Sequence, residues 1–196
     1  MVLLRHGQSV WNAENKFTGW TDIDLSLKGE EEAKLAGKKL AEIKFDVVHT
    51  SELIRARRTA VIVMSHNTAS KNPPTYHDLR LNERHYGSLQ GLDKDETRKK
   101  YGEEQVHIWR RSFDISPPDG ESLEMCANRT IPYLKEDIEP DLQSGKNVFV
   151  VAHGNSLRSI VMSIENLSPE EILSVEIPTG VPIYYQYENG KYSKIN

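Results

Sequence analysis

Apolar and polar positions fall along the chain in blocks that read as alternating strands and helices. Met1-Val2-Leu3-Leu4 is an unbroken apolar run that leads into Arg5-His6-Gly7-Gln8-Ser9. Val148-Phe149-Val150-Val151-Ala152 leads in the same way into His153-Gly154-Asn155-Ser156. Asp46-Val47-Val48-His49-Thr50 is a further short strand. Unbroken runs of this kind suit strands buried on both faces. Between them the period lengthens to three and four. Ala33, Ala36, Leu40 and Ile43 mark a helix over about 27–43 behind Ser26 as N-cap. Leu53, Ala56, Ala60 and Val63 mark a helix that Ser51 is expected to cap. Leu123, Ala127, Ile131 and Leu134 mark one over about 121–138, with a kink expected at Pro132. Leu157, Ile160, Val161 and Ile164 mark another, and Ser168-Pro169-Glu170-Glu171 is a compact helix start. Ile183 to Tyr187 alternates towards Asn189-Gly190, which predicts a closing hairpin. The fold class that follows is α/β, a mainly parallel sheet with helices on both faces.

Two stretches break this rhythm. Trp11 to Trp20 is a polar turn containing Asn12, Asn15, Thr18 and Gly19, residue types that permit the backbone turns needed to aim amides at an anion. After the break at Asn72-Pro73-Pro74, residues 79–120 are charged and helically patterned around 93–101 and 103–112, and end at Pro117-Pro118-Asp119-Gly120. That stretch is too polar for core and too patterned for disorder, so a helical cap insertion of about 82–120 over the pocket is expected within a single 1–196 domain.

Composition narrows the function. With 37% hydrophobic and 28% charged residues, 196 residues are enough for one globular core, and the net charge of −4 argues against a nucleic-acid or membrane partner. No apolar run approaches the roughly 20 residues of a membrane span. The four residues ahead of Arg5 are too few for a signal peptide. A single cysteine, Cys126, excludes an internal disulfide and points to a reducing, cytoplasmic location.

The two His-Gly turns carry the candidate chemistry. In open α/β sheets, ligands sit beyond the carboxyl ends of neighbouring strands. Two such turns there would bring His6 and His153 across one pocket, with Arg5 and Arg55 about a small anion. Arginine offers a planar donor fork to phosphate or carboxylate oxygens, and a neutral imidazole can attack phosphorus. Arg55, Arg57 and Arg58 open a helix, where the dipole disfavours cations unless an anion is near, so a ligand role is expected for at least one. Two histidines could instead ligate a metal, but Arg5 beside His6 would repel a divalent ion, and none is expected. Glu83 is compatible with proton transfer at a leaving oxygen and equally with a surface pair with Arg84.

Arg5-His6-Gly7 with His153-Gly154 resembles the histidine phosphatase superfamily. Several longer runs are similar to its 2,3-bisphosphoglycerate-dependent phosphoglycerate mutase branch. They are Phe17-Thr18-Gly19-Trp20, Leu81 to Tyr86, Leu89-Gln90-Gly91-Leu92, Trp109-Arg110-Arg111 and Pro178-Thr179-Gly180-Val181-Pro182. The resemblance implies a glycolytic and gluconeogenic isomerase that interconverts 3-phosphoglycerate and 2-phosphoglycerate through a phosphohistidine. Its phosphoryl donor would be 2,3-bisphosphoglycerate, with no metal. It implies His6 as the nucleophile and Glu83 as acid and base. Arg5, Arg55 and His153 would hold the transferring group, with Asn12 and Gly154 assisting. Ser9, Thr18, Gly19, Arg84, Tyr86, Lys94, Arg110, Arg111 and Asn155 would bind the remainder of a small phosphorylated substrate. The rivals are a phosphatase on the same core, a bisphosphoglycerate synthase, against which Ser9 argues, and a binding module without turnover. Gln8 stands where the family usually has Glu, and only Asp119-Gly120 stands where longer members carry an insertion, which leaves the oligomeric state open.

Overall fold

Leu3 and Leu4 are fully buried, and so are Val148 to Ala152, because these strands lie at the centre of a sheet covered on both faces. The computed structural model describes residues 1–195. Its strands are β1 (Val2–Arg5), β2 (Val47–Thr50), β3 (Thr75–His77), β4 (Val148–Ala152), β5 (Pro182–Glu188) and β6 (Lys191–Ile195). Its helices are α1 (Val10–Ala13), α2 (Leu27–Lys39), α3 (Ile54–Ser65), α4 (Lys94–Tyr101), α5 (Glu103–Arg111), α6 (Leu123–Tyr133), α7 (Glu139–Gln143), α8 (Gly154–Glu165) and α9 (Pro169–Ser174). The strand order is β3-β2-β4-β1-β5-β6. The first four run parallel, and the closing hairpin β5–β6 is antiparallel, as the alternating pattern after Pro182 predicts.

Side chains of successive strand residues point to opposite faces. Val2, Leu4, Val48, Phe149 and Val151 therefore pack on one face with Ala36 and Leu40 of the α2 segment and Ala56, Ala60 and Val63 of α3. Leu3, Val47, Val150 and Ala152 face the other way, onto Tyr133, Leu134, Leu157 and Ile160. The residues after Leu89 form a lobe with a small core of its own, Phe17, Leu89 and Val106, flanked by Tyr86 and Trp109. The polar composition of 79–120 conceals that core, because it borrows Phe17 from the first loop.

Some boundaries differ from the expected ones. Helix α2 starts behind Ser26 as predicted but ends at Lys39, with Leu40 as C-cap. Ser51 does not cap α3: Leu53 takes that position, and the Ser51 hydroxyl turns to His153. At Pro132 the helix continues through Tyr133 and then widens into a π-type turn over Leu134–Ile138 before α7. Strand β3, three exposed residues at the sheet edge, carries no apolar pattern and was not expected. No helix among the described residues is long and apolar enough to cross a membrane.

Candidate active site

β1 and β4 are hydrogen-bonded neighbours, with Arg5 opposite Ala152, so their His-Gly turns leave the sheet side by side. The His6 N–H donates to the Ala152 carbonyl at 3.0 Å. The two imidazoles lie 4.9 Å apart between centroids. Both are buried, and both have pKa values held well below the usual histidine value. For His6 the causes are burial, then the Arg55 and Arg5 cations. For His153 they are burial, Arg55 and His6. His6 Nδ1 lies 2.6 Å from the Gly7 carbonyl oxygen. A carbonyl only accepts, so Nδ1 carries the proton and Nε2 keeps its lone pair, the form that attacks phosphorus.

A pocket of about 150 Å³ opens in front of His6. Of the expected residues it is lined by Arg5, His6, Asn12, Thr18, Gly19, Arg55, Glu83, Tyr86, Lys94, Arg110, Arg111, Gly154 and Asn155. Arg55 Nη1 and Nη2 donate to the carbonyls of Thr21 and Gly19 at 3.1 and 2.7 Å, and burial pushes its pKa down to about 10, which still leaves it cationic at neutral pH. Arg5 Nη1 is anchored on the Ile177 carbonyl at 2.9 Å, while its buried Nε has no partner among the described residues. The buried Thr18 hydroxyl is unpartnered in the same sense. Such groups are satisfied when an anion enters. Gly19 has φ +55°, and a Cβ there would meet Gln90 Oε1 at 2.1 Å, so a side chain at this position is strained and would displace Gln90.

Glu83 sits opposite, 8% exposed. Its Oε1 accepts the Arg84 N–H at 2.8 Å, the Asn155 N–H at 3.1 Å and Asn155 Nδ2 at 3.0 Å. With Oε1 so occupied, Oε2 is the carboxylate oxygen without a hydrogen-bond donor among the described residues. The surface-pair alternative fails: Arg84 is buried and its guanidinium donates to the Trp109 and Arg110 carbonyls, at 3.1 and 3.4 Å.

Three expected site residues stand behind the pocket wall. Arg84 reaches α5 and stacks on Tyr86, with its Cζ 4.8 Å from the ring centroid. Ser9 is the N-cap of α1: its hydroxyl accepts the Asn12 N–H at 3.1 Å, and Asn12 Oδ1 accepts the Ser9 N–H at 3.0 Å. This reciprocal box fixes Asn12, which does line the pocket. His153 is fully buried behind His6, with Nε2 2.7 Å from Ser51 Oγ. Of the three arginines opening α3, only Arg55 faces the pocket. Arg58 pairs with Asp24 and Glu30 at 2.6 and 2.7 Å, and Arg57 lines a separate groove. Gln8 turns away: its Oε1 and carbonyl accept from Ser26, and its N–H donates to Glu32.

Lys16, Phe17, Arg158, Glu176 and Ile177 also line the pocket and were not expected. Lys16 lay within the polar turn already singled out. Glu176 and Ile177 arrive because the Gly180 N–H ties their loop to the Arg5 carbonyl at 3.0 Å, a tertiary contact without a local signature. The lining carries seven cationic side chains against the carboxylates of Glu83 and Glu176, so an acidic chain holds a strongly cationic cleft. No three His, Cys, Asp or Glu side chains among the described residues are grouped as metal ligands. A cationic pocket around a neutral imidazole with a free Nε2 can accept and release a phosphoryl group.

Comparison with known proteins agrees with this chemistry. The model of the histidine phosphatase superfamily (branch 1) matches residues 1–194. The chain is 47% identical to a 2,3-bisphosphoglycerate-dependent phosphoglycerate mutase of Protochlamydia amoebophila (strain UWE25) over 220 aligned positions, covering 99% of this chain and 97% of that one. It is 47% identical to the protein of the same description from Chlamydia felis (strain Fe/C-56), covering 99% and 96%. Those 220 positions exceed the 196 residues here, so the Protochlamydia relative carries insertions. Among solved structures, Bacillus stearothermophilus YhfR matches with TM-score 0.86 at 27% identity over 98% of this chain and 93% of that one. Mycobacterial hydrolase 1 matches with TM-score 0.86 at 23% identity, over 100% and 96%, and shares the fold.

Proposed function

The chain belongs to the histidine phosphatase superfamily, and from that premise we propose that it interconverts 3-phosphoglycerate and 2-phosphoglycerate as a 2,3-bisphosphoglycerate-dependent phosphoglycerate mutase. The observation that carries this reading is the free Nε2 of neutral His6 at the floor of a pocket ringed by cations. In the proposed reaction His6 Nε2 takes the phosphoryl group from the bisphosphorylated donor. The P–N bond forms as the P–O bond breaks, and Glu83 gives its proton to the leaving oxygen. In the second half Glu83 removes the proton of the accepting hydroxyl, which attacks the phosphohistidine and frees Nε2. Arg5 and Arg55, with Asn12 and the Gly154 amide at the start of α8, hold the oxygens whose charge grows in transfer, and His153 reaches them from behind His6 through Nδ1, which is buried without a partner among the described residues. Seven cations supply the compensation that a divalent ion gives elsewhere, so we propose transfer without a metal. Lys94, Arg110 and Arg111 would grip the carboxylate and second phosphate, with Thr18, Gly19, Tyr86 and Asn155 completing the contact. Ser9 and Arg84 serve from behind, through Asn12 and Tyr86.

We further infer a single 1–196 domain in which residues 82–120 cap the pocket. A cytoplasmic location fits the buried, lone Cys126 and a glycolytic substrate. The test is product analysis after adding 3-phosphoglycerate with and without catalytic 2,3-bisphosphoglycerate. Primer-dependent 2-phosphoglycerate is expected. Release of inorganic phosphate with no 2-phosphoglycerate would establish a phosphatase instead.

A further inference from the structure

The segment that carries Glu83 has little regular structure of its own. It leaves the single 3₁₀ turn Leu79–Leu81 and runs without helix or strand to Tyr86. A segment of this kind must have its carbonyls satisfied from elsewhere. They converge on one side chain, Arg129 of α6. Its Nη1 donates to the Asn82 and Arg80 carbonyls at 2.9 and 3.0 Å, and its Nη2 donates to the Glu83 carbonyl at 2.9 Å. Nε and Nη2 then clasp Glu121, each at 2.8 Å from a different carboxylate oxygen. Guanidinium has five N–H donors, and five acceptors within 3.0 Å use them all. Glu121 continues the chain of contacts, because its Oε2 accepts the His85 N–H and its own N–H donates to the His85 carbonyl, both at 2.8 Å. Trp20 also donates to the Glu83 carbonyl, from Nε1 at 2.5 Å, and Arg129 lies over its ring at 5.4 Å from the centroid.

We propose that Arg129, held by Glu121, is the positioning residue for Glu83, setting the backbone from which its carboxylate reaches the reacting oxygens. The Glu83 side chain is fixed by Asn155 and the Arg84 amide, and its main chain by Arg129 and Trp20. Arg129 does not line the pocket and touches no reacting atom. Its contact with the catalytic group runs through the backbone that carries Glu83. Lysine cannot replace it: three donors on a flexible stem cannot meet five acceptors in one plane. A displacement of about 1 Å at a proton-transfer group costs on the order of 10²-fold in rate.

This rests on the reading of Glu83 as acid and base, and a double-mutant comparison separates the two. Turnover is measured for wild type, Arg129→Lys, Glu83→Gln and the double variant, with thermal unfolding of each. Arg129→Lys is expected to lower kcat by about 10- to 100-fold while KM changes less than about threefold, since no ligand contact is lost. In the Glu83→Gln background the same change should lower kcat no further, because there is no titrating carboxyl left to position. If Arg129→Lys keeps kcat within threefold of wild type, or lowers it by the same factor in both backgrounds, the positioning role is overturned. If Glu83→Gln itself turns over normally, the acid–base reading fails and takes this proposal with it. Should Arg129→Lys not fold, Glu121→Gln takes its place. That variant keeps the shape while weakening the clasp on Arg129, and the same loss of kcat, absent in the Glu83→Gln background, is expected.

Discussion

The imidazoles of His6 and His153 face each other at 4.9 Å with their planes 57° apart, two bases buried together beside two arginines. Burial first, and the cations next, keep both neutral well below the usual histidine pKa of about 6.5. In the unfolded chain each takes up a proton near that pH. Below it the unfolded state binds more protons than the folded one, so stability falls with acid, by up to about 1.4 kcal/mol per pH unit for each group. The urea midpoint should therefore drop steadily from pH 7 to pH 5. A midpoint that is flat across the acidic range would contradict the buried neutral pair. The acidic limb of the rate profile should likewise lie well below pH 6.5, because His6 keeps its lone pair there.

The remote end of the pocket yields a second expectation. Arg111 Nη1 lies 3.2 Å from Glu176 Oε1, and Arg158 Nη2 lies 3.6 Å from the same oxygen. Arg110 lines the pocket with no ion-pair partner among the described residues, and burial lowers its pKa. An arriving anion is therefore the one full charge partner open to Arg110, whereas at Arg111 it competes with Glu176. Arg110→Ala should weaken substrate binding by about 1.5–3 kcal/mol, and Arg111→Ala by less. Glu176→Gln should tighten binding of the doubly phosphorylated donor several-fold. Calorimetric dissociation constants decide it, and an Arg111→Ala protein with unaltered affinity would remove Arg111 from the site.

How much of this was legible depends on how local each cause is. β1 and β4 could be read directly, because burial on both faces requires unbroken apolar runs, and their shared His-Gly endings placed His6 and His153 together. Arg55 was separable from Arg57 and Arg58 only in three dimensions, since all three open the same helix. Ser9 and Arg84 carry the residue types of a binding site, yet Ser9 spends its hydroxyl capping α1 and Arg84 its fork on α5 carbonyls. Arg129 left no trace in the pattern. On α6 it occupies a polar position like any solvated one, and its carbonyl acceptors come from 46 to 49 residues away in sequence. Strand β3 was invisible because an exposed edge of three residues needs no apolar side chains.

Glu83 supports a third prediction. Glu83→Gln keeps an oxygen for the Asn155 and Arg84 donors but has no proton to exchange. Phosphoryl transfer should slow by about 10²–10⁴-fold with substrate affinity little changed. Rapid-quench measurement of His6 phosphorylation isolates the step. Near-normal transfer would leave Glu83 a structural role and require another acid in the pocket.

The last prediction concerns what the enzyme needs in order to keep working. Arg5 and Arg55 line the pocket beside His6, and among the described residues no carboxylate cluster accompanies the two histidines. Activity should therefore survive exhaustive EDTA treatment. A phosphohistidine is exposed to slow hydrolysis whenever water enters the open pocket, and each loss leaves His6 without its phosphoryl group. The enzyme should then decay during turnover in the absence of 2,3-bisphosphoglycerate and recover when the primer is added. Acid-labile phosphate should map to His6 after priming, and label on His153 instead would reverse the two assignments. Vanadate adopts the five-coordinate shape and charge of the phosphoryl group in flight, so it should inhibit far below the concentration at which phosphate does. A preparation silenced by EDTA and restored by Mn²⁺ would refute metal-free transfer, whatever the state of His6.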